Sequence, residues 1–206
     1  MPLKTREKTD TIINNLEDNT ETLVHKMAKL KGVEKNPFLA YEKQPAENEI
    51  IERIAGFDTQ GNCATLAHTY IANKAGFNVS DFRGGVSREV FSDRDNIVSL
   101  SAIKGIKAHQ IKTNNPVQAY RELIKFIQPG KEYELSVGRH SAIVRLNKGE
   151  YEYLELQDYE HRGWKKMTEE TAKNRFKLFK VDSSINNIII DIDSLTRSRE
   201  FIKLIY

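Results

Sequence analysis

The sequence has very little cysteine, because Cys63 is the only one among 206 residues. A single thiol cannot form an intramolecular disulfide, and it cannot supply the paired cysteines of a structural zinc site. The sequence also lacks HExxH and other closely spaced ligand pairs, so we expect no metal and no cofactor. This scarcity of cysteine favours a reducing compartment.

The sequence also lacks a large excess of charge of either sign, and it has no long apolar run. The 32 lysines and arginines nearly balance 29 aspartates and glutamates. The basic stretches "KTREK" and "KGIKAHQIK" lack interleaved aromatic residues, so we expect no nucleic-acid partner. No run is long enough for a signal peptide or a membrane span. The sequence therefore predicts no membrane partner, and a protein that is cytoplasmic or delivered to a target cell without a classical signal peptide.

The hydrophobic residues that are present, 39% of the chain, follow helical spacing first and strand spacing later. Helices are predicted from Thr5 to Leu30 with Gly32 as a stop, in "ENEIIERIAG", over 62–75 and in "NNPVQAYRELIKFIQPG". Strands are predicted in "FNVSDFRGG", "EYELSVG", "HSAIVRL", "EYEYLELQ", "NRFKLFKV" and "NNIIIDI", and "SREFIKLIY" is a strand or a helix. This order indicates an α+β fold with a mostly antiparallel sheet. We predict that residues 1–50 form a helical region and connector and that residues 51–206 form the main domain.

Cys63 is predicted to open the helix over 62–75, with Asn62 as its N-cap. Free amides and the positive end of the helix dipole stabilise a thiolate there, and the thiolate is the nucleophilic form. The Cys63 amide could also donate to an oxyanion, with Gln60 or Asn62 as a second donor. The alternative is a structural role, since unpaired cysteines often serve as small buried hydrophobes.

A histidine far along the chain strengthens the nucleophile hypothesis. If "NKG" closes a two- or four-residue hairpin loop, His140 lies opposite Gln157, with Cβ atoms about 5 Å apart. Gln157 would then hold the imidazole by one nitrogen, leaving the other for the thiol. Glu155 and then Asp158 are alternative orienting residues, and a register shifted by one residue would place Leu156 opposite His140. His68, five residues beyond Cys63 on the same helix, points about 140° away from the thiol.

The motifs "GNCATLAHTYI", "GRHSAIVRL" and "YEYLELQD" together resemble the papain-like cysteine hydrolases, especially YopT-like proteases, Cif-like glutamine deamidases and papain-fold toxin domains. The resemblance implies a papain-like core in which the nucleophile helix packs on an antiparallel sheet. It also implies that Cys63 is the nucleophile, His140 the general base and acid, and Gln157 the orienting residue. Phe57 stands where papain has its oxyanion glutamine, which leaves Gln60 as the candidate donor.

These expectations combine into a cysteine hydrolase, toxin- or effector-like, that acts on a peptide bond or a glutamine amide through a thioester. Its partner would be a protein or peptide substrate. Two alternatives stay open: a peptidoglycan amidase of the NlpC/P60 type, and a binding or assembly module that keeps a papain-like scaffold without turnover.

Overall fold

The computed structural model of the chain describes residues 21–35, 39–55, 62–79, 85–177 and 184–205. Within these ranges the helices are α1 (Leu23–Lys31), α2 (Glu47–Ile54), α3 (Cys63–Lys74), α4 (Gly85–Ser92), α5 (Arg94–Ser99), α6 (Pro116–Leu123), α7 (Glu169–Thr171), α8 (Ile192–Thr196) and α9 (Arg199–Ile205). The strands are β1 (Ala108–Thr113), β2 (Glu132–Val137), β3 (His140–Asn147), β4 (Glu150–Glu155), β5 (Gly163–Lys166) and β6 (Ile185–Asp191). Two 3-10 turns, Leu100–Ala102 and Ile124–Phe126, and a π-helical segment, Ala172–Phe176, complete the described elements.

The six strands form one sheet in the order β1-β6-β2-β3-β4-β5. Every neighbouring pair is antiparallel. The predicted α+β class with an antiparallel sheet is therefore confirmed. Strand β3, which begins at His140, lies inside the sheet between β2 and β4.

Each face of the sheet is covered by its own apolar core. Ile143 of β3 packs with Leu66 of α3 on the first face, in a cluster that also contains Val24 of α1. The neighbouring Val144 packs with Phe176 of the π-helical segment on the second face. This alternation is what a pleated strand buried on both sides requires.

The predicted helices over 62–75, in "ENEIIERIAG" and in "NNPVQAYRELIKFIQPG" are confirmed as α3, α2 and α6. In α6 the side chain of Asn115 accepts hydrogen bonds from the amides of Val117 and Gln118, and Pro116 occupies the first turn. The described part of the N-terminal helix ends before Gly32, whose φ of 67° is left-handed. The predicted helical residues before position 21 lie outside the described residues.

The predicted strands "EYELSVG", "HSAIVRL", "EYEYLELQ" and "NNIIIDI" are confirmed as β2, β3, β4 and β6. The segment "SREFIKLIY", for which a strand or a helix was predicted, forms the helix α9. The strand predicted in "FNVSDFRGG" is reduced to an isolated bridge between Phe77 and Ala40. Residues 80–84 of that segment lie outside the described residues.

The strand predicted in "NRFKLFKV" is wrong over its described part, because residues up to Phe176 belong to the π-helical segment. Thr168 starts this helical stretch by accepting a hydrogen bond from the amide of Thr171. Ala172 and Phe176 then enter the second core four residues apart, which is a helical spacing. Strands β1 and β5 were not predicted, because these edge strands are held by ladder hydrogen bonds and have no regular apolar alternation.

Candidate active site

Helix α3 begins at Cys63, as predicted, and packs against β3. Asn62 occupies the N-cap position, but its side chain makes no capping hydrogen bond, contrary to expectation. Its carbonyl instead accepts a hydrogen bond from the Thr65 hydroxyl. The helix is therefore fixed mainly by the burial of residues such as Leu66 and Tyr70 in the first core.

The Cys63 sulfur lies beside the strand that carries His140. The backbone N–H groups of Ser141 and Ala64 both donate towards it. Burial nevertheless raises the pKa of the Cys63 thiol, and the positive charges of Arg94 and Arg175 only partly oppose this effect. The expected bias towards thiolate is thus outweighed by desolvation, and the thiol is protonated at neutral pH.

The hairpin register is the predicted one. Lys148 and Gly149, with φ of 49° and 84°, close a two-residue turn. Asn147 pairs with Glu150, and the ladder continues to Ile143 opposite Leu154. Strand β4 ends at Glu155, so Gln157 lies beyond the last pair, at the position that an extended ladder would place opposite His140. The alternative register with Leu156 opposite His140 is excluded.

The side chain of His140 follows the second face of the sheet. Its ring meets Phe176 edge to face at a centroid distance of 4.9 Å, and Phe176 belongs to the second core. Burial, followed by the positive charge of Arg175, lowers the pKa of His140 to about 3, although the charge of Glu155 acts in the opposite direction. Within the described residues no hydrogen bond reaches this ring, either from the Cys63 sulfur or from Gln157.

Glu155 and Gln157 are both engaged by Arg175. The guanidinium binds Glu155 through two hydrogen bonds of 2.6 and 2.9 Å, and it donates to the Gln157 side-chain oxygen at 3.1 Å. The backbone N–H of Gln157 also donates to Glu155 at 2.8 Å. Burial alone would raise the pKa of Glu155, but its hydrogen bonds with Arg175 lower it overall. Both candidate orienting residues therefore lie near the histidine without holding it.

All three predicted site residues line one cleft, which has a volume of about 1140 Å³ and opens at the ends of β3 and β4. The structure brings Cys63, His140 and Gln157 to this cleft but does not join them by hydrogen bonds. Their catalytic roles stay a prediction. Asp158, the second alternative to Gln157, also lines the cleft and binds His161 at 2.9 Å. Gln60 and Phe57 lie outside the described residues.

Sequence reasoning missed the two arginines whose positive charges act on the Cys63 thiol. Arg175 reaches the cleft from the π-helical segment that was predicted to be a strand. Arg94 reaches it from α5, and its Nη2 donates to the carbonyl of Gly138 at 2.5 Å. No local pattern marks either residue. The capping sequence "TEET" before Ala172 was the one signal that a helix precedes Arg175.

His68 is turned away from the thiol, as predicted, and is buried in the first core. Its Nε2 lies 3.3 Å from a carboxylate oxygen of Glu134, which is itself fully buried. The ring also meets Phe91 and Phe201 edge to face, each at 5.6 Å. The pair is a structural element behind the cleft.

The buried ring of His140 should make folding stability depend on pH. Its folded pKa of about 3 lies below the unfolded value of about 6.5. Between these values the unfolded chain binds a proton that the native chain does not, so stability is lost as the pH falls. From pH 7 to pH 5 we expect His140 to account for a loss of about 2 kcal/mol in the free energy of unfolding.

Urea unfolding of the wild type and of His140→Gln, at several pH values, measures this contribution. The variant should lose about 2 kcal/mol less than the wild type between pH 7 and pH 5. Above pH 7 the two proteins should change in parallel. Identical slopes below pH 6 would show that the imidazole is accessible to protons in the folded protein.

A scan against models of protein families finds no match, and searches of curated proteins and of solved structures find none either. Among the described residues no helix has the length and apolar character needed to cross a bilayer. The same residues contain no group of three or more His, Cys, Asp or Glu side chains that could bind a metal ion.

Proposed function

We propose that this chain is a cysteine hydrolase that cleaves a peptide or glutamine amide, with Cys63 as nucleophile and His140 as general base and acid. The observation that carries the proposal is the sulfur at the start of α3, in one cleft with His140, with the N–H groups of Ser141 and Ala64 directed at it. The packing of α3 on β3 supports a papain-like core for residues 51–206.

The reaction starts from a neutral thiol and a neutral imidazole. The Cys63 proton moves to His140 as the sulfur bonds to the substrate carbonyl carbon, and the carbonyl electrons move to oxygen. The positive charges of Arg94 and Arg175 near the sulfur stabilise this oxyanion. The oxyanion electrons then restore the carbonyl as the C–N bond breaks, and the imidazolium protonates the leaving nitrogen, which departs as an amine or as ammonia. Water activated by His140 attacks the remaining thioester, and the C–S bond breaks to return the Cys63 thiol. For this transfer the ring turns from its contact with Phe176 towards the sulfur, in the free protein as well as in the substrate complex.

In this mechanism Gln157 or Glu155 orients the His140 imidazole. Arg175 already binds both side chains, so any contact with the imidazole requires the network to rearrange. Glu155 adds a negative charge that raises the pKa of His140, whereas Gln157 is neutral. Glu155 is therefore the better partner for the imidazolium, and Gln157 the better partner for the neutral ring. We keep Gln157 as the proposed third member, with Glu155 as the alternative.

Alkylation by iodoacetamide tests the base, because Cys63 is the only thiol in the chain. At pH 7 the wild type should be alkylated about tenfold faster than His140→Gln, since general-base assistance is worth at least that much. His161→Gln, an exposed histidine on the same cleft, should keep the wild-type rate. Equal rates for the wild type and His140→Gln would remove His140 from the mechanism.

A second candidate, a binding module on the same scaffold, is favoured by one observation. The pKa values of Cys63 and His140 shift away from a thiolate–imidazolium pair. Mass spectrometry of a denatured protein substrate such as casein separates the two functions. A hydrolase yields fragments or converts glutamine to glutamate, and Cys63→Ala abolishes both products. Binding without any product, retained in Cys63→Ala, would support the module.

A further inference from the structure

The cleft around Cys63 carries more basic than acidic side chains. Among its described lining residues, two of the three acidic groups are already engaged: Glu155 with Arg175, and Asp158 with His161. The third, Glu160, is exposed on the rim. The lining therefore has little negative charge left to neutralise cations.

Three lining cations have no carboxylate partner among the described residues: Arg139, Lys165 and Lys177. Arg139 comes from the turn before β3, Lys165 from β5, and Lys177 follows the π-helical segment. The three residues reach the cleft from three separate segments of the chain, so the positive charge of the lining does not come from a single helix face. The chain as a whole has a formal charge of only +3, so this cationic surface is local.

Building on the proposed hydrolase, we propose that the cleft takes an acidic peptide, with carboxylate side chains next to the scissile amide bound by Arg139, Lys165 and Lys177. A cleft with charge of one sign attracts ligands of the opposite sign and orients them on arrival. A peptide fits better than a nucleic acid because the nucleophile acts on an amide and the lining cations are few.

Two small alkylating reagents measure the field at the sulfur. Iodoacetate and iodoacetamide have nearly the same size and transfer nearly the same group, but only iodoacetate is negatively charged. Reversing one charge of the lining should lower the iodoacetate-to-iodoacetamide rate ratio several-fold at low salt, and about fourfold for a charge about 10 Å away in water. Lys165→Glu and Arg139→Glu should each show this decrease. Lys112→Glu, an exposed strand lysine on the opposite edge of the sheet, should not.

Protection experiments then identify the ligand class. Hexaglutamate, hexalysine and a thymidine hexanucleotide are each added before iodoacetamide. Hexaglutamate should slow alkylation of the wild type more than the other two, and Lys165→Glu should lose that protection. An unchanged rate ratio in Lys165→Glu, or equal protection by the oligonucleotide, would overturn the acidic-peptide proposal while leaving the hydrolase intact. Equal alkylation rates for the wild type and His140→Gln would instead contradict the proposed hydrolase, and the acidic-peptide proposal would fall with it.

Discussion

Gly138→Ala is expected to lower the free energy of unfolding by more than about 4 kcal/mol. Gly138 has a φ of 54°, and a Cβ atom there would lie 2.7 Å from the carbonyl oxygen of Phe176 and closer still to that of Lys177. Both obstacles are backbone atoms, so no side chain can turn aside. The added methyl group must push the turn away from the π-helical segment.

The turn is also held in place by hydrogen bonds. The Gly138 amide donates to Asn187 at 2.9 Å, and the Arg139 amide donates to the Phe176 carbonyl at 2.7 Å. His140 follows directly, so displacement of the turn moves the imidazole as well. Denaturant unfolding measures the loss of stability, and the His140 dependence of Cys63 alkylation should disappear in the variant.

Gly149→Ala is the matched control. Gly149 also occupies a two-residue hairpin turn with positive φ, at 84°, but a Cβ atom there would meet nothing within 4 Å. It should cost only the backbone strain of a left-handed alanine, about 1–2 kcal/mol. Equal losses for the two variants would contradict the close approach at Gly138.

His68→Leu is expected to cost roughly 3–5 kcal/mol, because it leaves the carboxylate of Glu134 fully buried without its partner. Leucine retains apolar volume between Phe91 and Phe201, so the loss reports mainly on the lost polar contact with Glu134. Arg94, which lines the cleft, also interacts electrostatically with Glu134. This interaction reduces the loss of stability but does not replace the 3.3 Å contact with His68.

The double variant His68→Leu, Glu134→Leu provides the control. Replacing both members of a buried polar pair with apolar side chains is often neutral or stabilising, so most of the lost stability should return. The four proteins form a double-mutant cycle in urea, with a coupling energy of about 2–3 kcal/mol. A double variant whose loss equals the sum of the single losses would show that the two residues act independently.

Local sequence signals predicted the elements that depend on near neighbours in the chain. The "NKG" turn specified the β3–β4 register, because left-handed residues at Lys148 and Gly149 close a two-residue loop. The periodic stripe after Cys63 specified α3, and Pro116 marked the start of α6. The same signals failed for β1, whose residues alternate without a regular apolar pattern and join the sheet through β6.

The candidate site also combines features that local sequence signals predicted with features that only the tertiary structure decided. The sequence by itself determined that Cys63 opens a helix, that His140 opens a strand, and that the hairpin register points Gln157 towards His140, because each depends on turns and spacing within a few residues. It placed Gln157 inside the next strand, whereas that strand ends at Glu155. Only the tertiary structure decided that Arg175 binds the side chains of both Glu155 and Gln157. It also decided that the imidazole packs on Phe176 and that burial keeps the thiol protonated. These outcomes depend on desolvation and on charges brought from distant parts of the chain, neither of which leaves a local pattern.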